Sequence, residues 1–302
     1  MSRVRLSSFG LAVVIALIAS PVLAQEVDLA GMWSASNGNF EELPLRGDPG
    51  VEVGEYVGVP LNEAARQHAQ SWMPTIHSLP EWQGRPHPVT YSMRAPQPNF
   101  RMGTIVDPMT EQLVGYTITG LFGRADRTIW MDGRPHPSKY AEHKWQGFST
   151  GVWQDGMLKV TTTHIKYSFV HRNGIPLSPY AVMTEYYARH GDLLTLAIIV
   201  EDPIYLEEPM VRTATFKWNP TQTIPRAVPF EVADELPSLQ RGQVPAYPLG
   251  AGHPEYAQRH GLPFEASLGG AVTMYPEYVK RLKALMAAAP SVTASAASGD
   301  VK

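Results

Sequence analysis

The chain has 302 residues, of which 44% are hydrophobic and 18% are charged, and its formal net charge is −3. Seven Trp, 13 Tyr and 9 Phe suffice for a hydrophobic core, and 27 Pro with 25 Gly is above average without reaching the share typical of a disordered chain. No Lys/Arg cluster follows the N-terminus, which argues against a nucleic-acid partner. The absence of Cys excludes disulfides, thiolate nucleophiles and Cys-ligated zinc.

The first 24 residues have the pattern of a secretory signal peptide. Arg3 and Arg5 form a basic start, residues 11–18 form an apolar stretch, and Ala24 ends a small-residue cleavage site. The apolar stretch is too short to span a bilayer, and no later segment approaches about 20 apolar residues. We therefore expect cleavage after Ala24 and a periplasmic or secreted protein without an integral membrane span. An uncleaved N-terminal anchor is the alternative.

Short alternating runs separated by turn signals dominate residues 114–218. This pattern is typical of an antiparallel barrel or a strongly curved sheet. Two junctions, Asp155-Gly156 and Gly191-Asp192, contain residues that tolerate a positive φ, as tight hairpins require. The predicted strands are 114–121, 127–131, 145–153, 157–166, 181–190, 193–200 and 211–218.

Helical periodicity is sparse and lies on either side of this region. The sequence predicts a helix over 62–72 with Asn62 as N-cap, another over 276–287 with Pro276 in its first turn, and a short one over 254–260. Residues 224–263 are expected to wrap the surface, and residues 288–302 to form a disordered tail. We therefore expect one lipocalin-like, all-β domain over 25–287, with an N-terminal arm, a few peripheral helices and a C-terminal helix.

Two histidines occupy the same short string, Gly-Arg-Pro-His-Pro-x-x-Tyr. His87 and His136 are each flanked by prolines, which restrict φ and keep the imidazole on a stiff loop. Such a loop can hold a general base, or an anion clamp when the imidazole acts with the preceding Arg85 or Arg134. The alternative is a pair of Pro-rich turns whose imidazoles only cap or pack.

His164 is the second candidate because of its place in a predicted strand. Strand side chains alternate between faces, so His164 is expected to point inward with Leu158 and Val160. A buried imidazole needs a partner, and Glu185, on a neighbouring strand in phase with Tyr187, is the expected one. The alternative is a satisfied core pair without any turnover.

Trp145, Ser149 and Trp153 lie in phase on one predicted strand, with glycines between them. The glycines leave room for a ligand above the sheet, or else allow the strand to coil while both indoles fill the core. The same stretch matches the Gly-x-Ser-x-Gly motif of serine hydrolases. A strand rather than a helix follows the motif, so a nucleophilic Ser149 is not expected.

Neither a metal nor a cofactor is predicted. His143, His164 and His171, with Glu142 or Glu185, are numerous enough for an open zinc site, but their spacing matches no metal motif. Phosphate-cradling and dinucleotide-binding glycine motifs are absent, so ATP, NAD and FAD are not expected. The acidic residues within 201–208 lie next to prolines, as in solvated turns, which disfavours the carboxylate pair of a glycosidase.

The block over 127–137, Arg-Thr-Ile-Trp-Met-Asp-Gly-Arg-Pro-His-Pro, with the Trp-x-Gly-x-Ser-x-Gly-x-Trp stretch over 145–153, resembles a widespread family of secreted bacterial proteins. The likeness covers residues 28–280 and implies a signal-bearing, lipocalin-like barrel, but no reaction. The Gly-x-Trp over 31–33 is similar to the start of lipocalin-like barrels. Many relatives carry Asn in place of His164. The family's recurring positions fall on Arg134, His136, Trp145, Trp153 and Glu185.

These patterns favour an exported enzyme that uses cofactor-independent acid–base chemistry, of lyase, isomerase or hydrolase type, on a largely apolar or aromatic small molecule. His136 is the expected general acid or base, His164 with Glu185 its partner pair, and Arg134 the group that stabilises negative charge. The alternatives are a non-catalytic periplasmic carrier of lipocalin type and a structural module of the cell envelope. The expected substrate-binding residues are Trp145, Trp153, Ser149, Tyr187, His87 and Arg85.

Overall fold

The computed structural model describes residues 27–35, 52–79, 81–93, 99–120, 126–170, 173–223, 242–250 and 252–288. The predicted signal peptide, His171 and part of the predicted surface segment 224–263 lie outside these ranges. Within them, no helix is both long and apolar enough to cross a membrane.

Eleven strands are present in the described part of the chain, and nine of them form one sheet that closes into a barrel. In chain order they are β1 (Gly31–Ala35), β2 (Phe100–Val106), β3 (Leu113–Thr119), β4 (Arg127–Trp130), β5 (Phe148–Gln154), β6 (Met157–Thr163), β7 (Ser168–Phe169), β8 (Pro176–Leu177), β9 (Val182–His190), β10 (Leu193–Glu201) and β11 (Met210–Trp218). The order around the barrel is β1, β11, β10, β9, β6, β5, β4, β3 and β2, and β2 pairs with β1 to close it. The predicted all-β, lipocalin-like barrel is confirmed.

The tight turns of the barrel follow the chemistry of their residues. Between β5 and β6, Asp155 and Gly156 have φ values of 52° and 77°, and between β9 and β10 Gly191 has a φ of 61°. These left-handed conformations suit Gly and Asp and match the twist of the paired strands. Both hairpins predicted from these junctions are therefore formed.

One pair of strands, β4 with β5, is parallel, with Ile129 opposite Ser149 and Trp130 opposite Thr150. Parallel neighbours need a crossover connection of about a dozen residues or more. Residues 131–147 supply it, and we call this segment the crossover. The predicted uninterrupted antiparallel meander is wrong at this junction. The predicted strand 145–153 begins only at Phe148, because Gly147 donates its N–H to Lys144 O (3.1 Å) and closes a turn there.

The barrel interior is occupied by side chains that alternate inward along each strand. On β6, Leu158, Val160 and Thr162 are fully buried, whereas the residues between them are half-buried. The opposite walls contribute large aromatic side chains, and Trp33, Phe100 and Phe216 are at most 1% exposed. Burying a large apolar side chain stabilises the folded state by about 1.5–3 kcal/mol, so this packed interior is the main source of stability.

Three short helices lie outside the barrel: α1 (Glu63–Ser71), α2 (Pro254–Arg259) and α3 (Pro276–Ala288). Asn62 caps α1 as predicted, because its Oδ1 accepts the N–H of Ala65 at 3.0 Å. The predicted spans agree with those observed to within two residues. Helix α3 includes Ala288, so the predicted tail begins at least one residue later than expected. A second small core contains Val57, Tyr256, Ala257, Leu262 and Leu282.

Residues 81–93, which we call the rim segment, cover one end of the barrel. Val89 donates its N–H to Trp145 O (3.0 Å), and the Gln146 amide donates to His87 O (2.7 Å), which ties the rim segment to the crossover. A crevice beneath it is lined by residues of the rim segment and by the inward-pointing Ile118 and Arg127. The crossover and the rim segment therefore meet at the same end of the barrel.

Candidate functional site

Inside the barrel, a buried arginine organises a network of polar side chains. Arg127 begins β4 and shares the inward face with Ile129, so its guanidinium is only 4% exposed. Its Nε donates to Ser149 Oγ at 3.1 Å, and its Nη1 donates to Glu185 Oε1 at 2.9 Å. Its Nη2 donates to Thr162 Oγ1 at 2.7 Å and also to the second oxygen of Glu185. The pair between Arg127 and Glu185 is thus bidentate and fully enclosed.

Two further contacts complete this network. Tyr187 donates its hydroxyl to Glu185 Oε1 at 3.0 Å, and the Ser149 and Thr162 hydroxyls lie 2.9 Å apart. Burial alone would lower the pKa of Arg127, but the Glu185 carboxylate outweighs burial and raises it. Burial, with the Glu185 charge, raises the pKa of Tyr187 well above its usual value. The network is therefore a neutralised, hydrogen-bonded unit inside the wall, and no part of it needs His164.

His164 does not point inward, and the predicted pair between His164 and Glu185 is wrong. Strand β6 ends at Thr163, and His164 adopts a left-handed φ of 56°, so it leaves the alternation that Leu158 and Val160 follow. Its Nδ1 lies 2.8 Å from Thr163 Oγ1, and its Nε2 lies 2.9 Å from Ser138 O.

The structure brings His136 and His164 together on the outside of the barrel. His136 Nδ1 lies 2.7 Å from Thr163 Oγ1, and its Nε2 lies 2.8 Å from Thr150 Oγ1. Thr150 and Thr163 occupy outward positions of β5 and β6, next to the buried Ser149 and Thr162. We call Thr150, His136, Thr163 and His164 the imidazole chain. It lies across the barrel wall from Glu185, so the three predicted catalytic groups do not share one cavity.

The hydrogen bonds of the imidazole chain have one direction when both rings are neutral. A carbonyl oxygen only accepts, so His164 Nε2 carries the proton that it donates to Ser138 O. His164 Nδ1 then accepts from the Thr163 hydroxyl. Thr163 Oγ1 accepts from His136 Nδ1, and His136 Nε2 accepts from the Thr150 hydroxyl. Each donor in this chain therefore has an acceptor without any charge on the imidazoles.

The surroundings of His136 favour this neutral state. Partial burial, followed by repulsion from His164, lowers the pKa of His136 below its usual value. The Phe148 ring packs edge-on against the imidazole, with 5.4 Å between the ring centroids. The lowered pKa favours the neutral form of His136 that the directed chain uses.

A third imidazole, that of His143, adjoins the chain. Its ring centroid lies 5.1 Å from that of His164, and its Nδ1 donates to Ile165 O at 2.9 Å. Lys144 pairs with Ile165 in a short parallel bridge, which holds the two histidine-bearing segments side by side. Since Nδ1 carries the proton, Nε2 carries a lone pair, and no described residue hydrogen-bonds to it. His143 was predicted only as a possible metal ligand, and no motif in the sequence indicates this geometry.

The rim segment and the crossover also bring cations and indole rings together. The Arg85 guanidinium lies 4.1 Å from the Trp82 ring centroid and 5.9 Å from that of Trp145. The Lys166 ammonium lies 5.5 Å from the same Trp145 ring centroid. His87 stacks on Tyr91, with 4.0 Å between the ring centroids. Of the predicted substrate-binding residues, Arg85, His87 and Trp145 are thus brought to one end of the barrel.

The remaining predicted residues lie elsewhere. Arg134 is held by the Asp132 carboxylate, to which its Nε donates at 2.8 and 2.9 Å, and its guanidinium lies 3.6 Å from the Trp130 ring centroid. Trp153 points inward on β5, packs against the main core, and has a buried indole N–H without a hydrogen-bond partner among the described residues. Ser149 and Tyr187 belong to the buried network.

The described residues contain no group of three or more imidazole and carboxylate side chains placed to hold a metal ion. His143 and His164 adjoin, but Glu185 faces the interior, Glu142 is exposed, and His171 lies outside the described ranges. The acidic Asp202 is buried and accepts hydrogen bonds from Ser178 N and Oγ, both at 2.7 Å.

Comparison with known proteins gives no match to a family model, to a curated protein or to a solved structure. Membership in the family of secreted bacterial proteins therefore stays a prediction.

Proposed function

We propose that the protein is an enzyme that uses acid–base chemistry, without a bound cofactor, on a small molecule that binds beside His143 of the crossover. The observation that supports this most is the state of His143. Its tautomer is fixed by Ile165 O, its Nε2 lone pair has no partner among the described residues, and it lies beside a second imidazole. An imidazole with a fixed tautomer and a lone pair on its other ring nitrogen can act as a general base.

The imidazole chain supports His143 in this role. A proton taken up at Nε2 makes His143 a cation, and the hydrogen bond from its Nδ1 to Ile165 O strengthens as the ring gains charge. A charged His164 at 5.1 Å would oppose that step by like-charge repulsion. The imidazole chain satisfies its hydrogen bonds with both rings neutral, and in that state it does not oppose a proton on His143. The reaction class that fits is lyase, isomerase or hydrolase.

The packed interior favours this proposal over a carrier that encloses its ligand. Inward side chains such as Trp33, Phe100 and Tyr187 are at most 1% exposed and occupy the space that a lipocalin-type ligand would need. The signal-peptide pattern of residues 1–24 supports a periplasmic or secreted site of action, which also belongs to this proposal.

The test is a comparison of His143→Gln with the wild-type chain on a panel of aryl esters, aromatic β-hydroxy acids and β,γ-unsaturated ketones. Loss of the base is expected to reduce turnover by about 10²- to 10⁴-fold. His190→Gln is the matched control, because His190 is exposed at the end of β9.

Thr163→Val is expected to cost less than His143→Gln, since it interrupts the chain without removing the base. An unchanged rate in His143→Gln would refute the assignment of the base. Binding of panel compounds without turnover of any of them would favour the carrier.

A further inference from the structure

Two cationic side chains lie close to the indole ring of Trp145. The Arg85 guanidinium and the Lys166 ammonium lie 5.9 and 5.5 Å from its centroid, and both side chains are exposed while the indole is half-buried. Arg85 also stacks closely on Trp82, which fixes the plane of the guanidinium. The result is a flat aromatic surface with two positive charges close to it.

This charge is not neutralised by an ion pair in the described part of the chain. The salt bridges formed there involve other cations, and Arg85 donates its Nε to a backbone oxygen, that of Glu81. Burial lowers the pKa of Arg85, and the charge of the Glu81 carboxylate offsets this effect only in part. Two like charges beside one ring repel each other, and an anion placed between them removes that repulsion.

The position of this surface relates it to the proposed base. His143 and Trp145 are two residues apart, so their Cα atoms are separated by at most about 7 Å. Lys166 likewise follows His164 by two residues, and backbone hydrogen bonds of 2.9 Å from Lys144 N to His164 O and from Lys166 N to Lys144 O hold the segments together. A ligand stacked on Trp145 is therefore bound on the same short stretch of the crossover that carries His143.

We infer that Trp145, Arg85 and Lys166 form a binding site for a planar aromatic carboxylate, with the ring stacked on the indole and the carboxylate held between the two cations. This inference rests on the proposed function only in naming the substrate class of that enzyme. The binding itself does not depend on turnover. Guanidinium and ammonium groups recognise carboxylates by charge-assisted hydrogen bonds, and the indole adds stacking energy that an aliphatic acid does not gain.

The experiment measures the binding of 2-naphthoate to the full chain by calorimetry, with the indole N–H signal of Trp145 followed by NMR. Two further ligands separate the two parts of the site: 2-naphthamide has the ring without the charge, and cyclohexanecarboxylate has the charge without the aromatic ring. Arg85→Gln and Lys166→Gln are each expected to weaken naphthoate binding by about five-fold. Trp145→Leu is expected to weaken it by about ten-fold or more.

Arg101→Gln and Lys217→Gln are the matched controls, because both cations are exposed and neither is among the cations that lie beside Trp145. Both controls should bind naphthoate as the wild type does. Equal affinity for the naphthamide, unchanged binding in Arg85→Gln and Lys166→Gln, or no naphthoate binding would overturn the inference. If these variants weaken naphthoate binding but the protein turns over no compound, the binding site is supported and the proposed enzymatic function is refuted. If the protein turns over other panel compounds but does not bind naphthoate, the enzymatic function is supported and the binding site is refuted.

Discussion

Removing one partner of the buried pair between Arg127 and Glu185 is expected to destabilise the barrel severely. In Glu185→Gln the guanidinium keeps its charge at 4% exposure and loses the one carboxylate that it pairs with among the described residues. In Arg127→Met the carboxylate stays fully buried with the Tyr187 hydroxyl as its only remaining donor in the network. Breaking a buried pair in this way costs about 3–5 kcal/mol of the free energy of unfolding.

The double variant Arg127→Met/Glu185→Leu tests the physical reason. It removes both charges, and the Ser149 and Thr162 hydroxyls keep each other as partners at 2.9 Å. Only the Tyr187 hydroxyl is left without a partner in the network, at a cost of about 1–3 kcal/mol. The double variant should therefore be more stable than either single variant, although it carries more substitutions.

Urea unfolding followed by tryptophan fluorescence measures all three variants, and Arg101→Met on the outer face of β2 is the control, with an expected change within about 0.5 kcal/mol. Single variants that lose less than about 1 kcal/mol would show that the pair does not hold the walls together. A double variant whose loss equals the sum of the two single losses would show that the loss arises from packing and not from an unpaired buried charge.

Two further predictions concern stability. The pKa of Tyr187 is raised well above 10 and that of Tyr167 to about 12, so above pH 10 the unfolded chain loses phenolic protons that the folded chain keeps. The free energy of unfolding should therefore fall by up to about 1.4 kcal/mol per pH unit for the buried Tyr187, and by less for Tyr167, which is 37% exposed and screened by solvent. Tyr187→Phe should make this fall shallower in urea titrations between about pH 10 and 11.5, and an unaltered slope would count against burial as the cause. Gly31 has a φ of 137°, and a Cβ there would lie 1.8 Å from the Trp218 ring, so Gly31→Ala should lower the free energy of unfolding by about 2–4 kcal/mol. Gly156 has a φ of 77° and no atom within 4 Å of an added Cβ, so Gly156→Ala should lower it by only about 1 kcal/mol. Equal losses in the two variants would contradict a steric origin.

The sequence predicts the local part of this fold well. Strands β9, β10 and β11 lie within one residue of their predicted bounds, because each alternates cleanly and the Gly191 turn joins the first two. β2 was not predicted, since Gly103 interrupts its alternation of apolar and polar residues. Helix α1 was predicted because Asn62 gives a clear capping signal.

The candidate site was only partly predictable, for reasons that differ between its residues. His136 was singled out by its prolines, and Arg85 by the repeated string, but their partners arise from contacts distant in the chain. His164 was assigned to the wrong face because a single left-handed residue ends the alternation, and nothing in the run Thr-Thr-Thr-His marks that break. Arg127 was missed as a centre of the network. The sequence does contain a signal for its burial: Arg127 and the apolar Ile129 are two residues apart and therefore share the inward face of β4.

The parallel pairing of β4 with β5 has a consequence for how the candidate site is assembled. His136, His143 and Trp145 all belong to the crossover, whereas their partners Thr163, His164 and Lys166 come from the end of β6 and the segment after it. The β5–β6 hairpin, which pairs Phe148 with Thr163, brings these two groups of residues together locally. The parallel pair of β4 with β5 closes a longer loop, at an entropic cost that local turns avoid. The imidazoles therefore depend on one local hairpin for their mutual contacts and on the parallel pair for their place on the barrel wall.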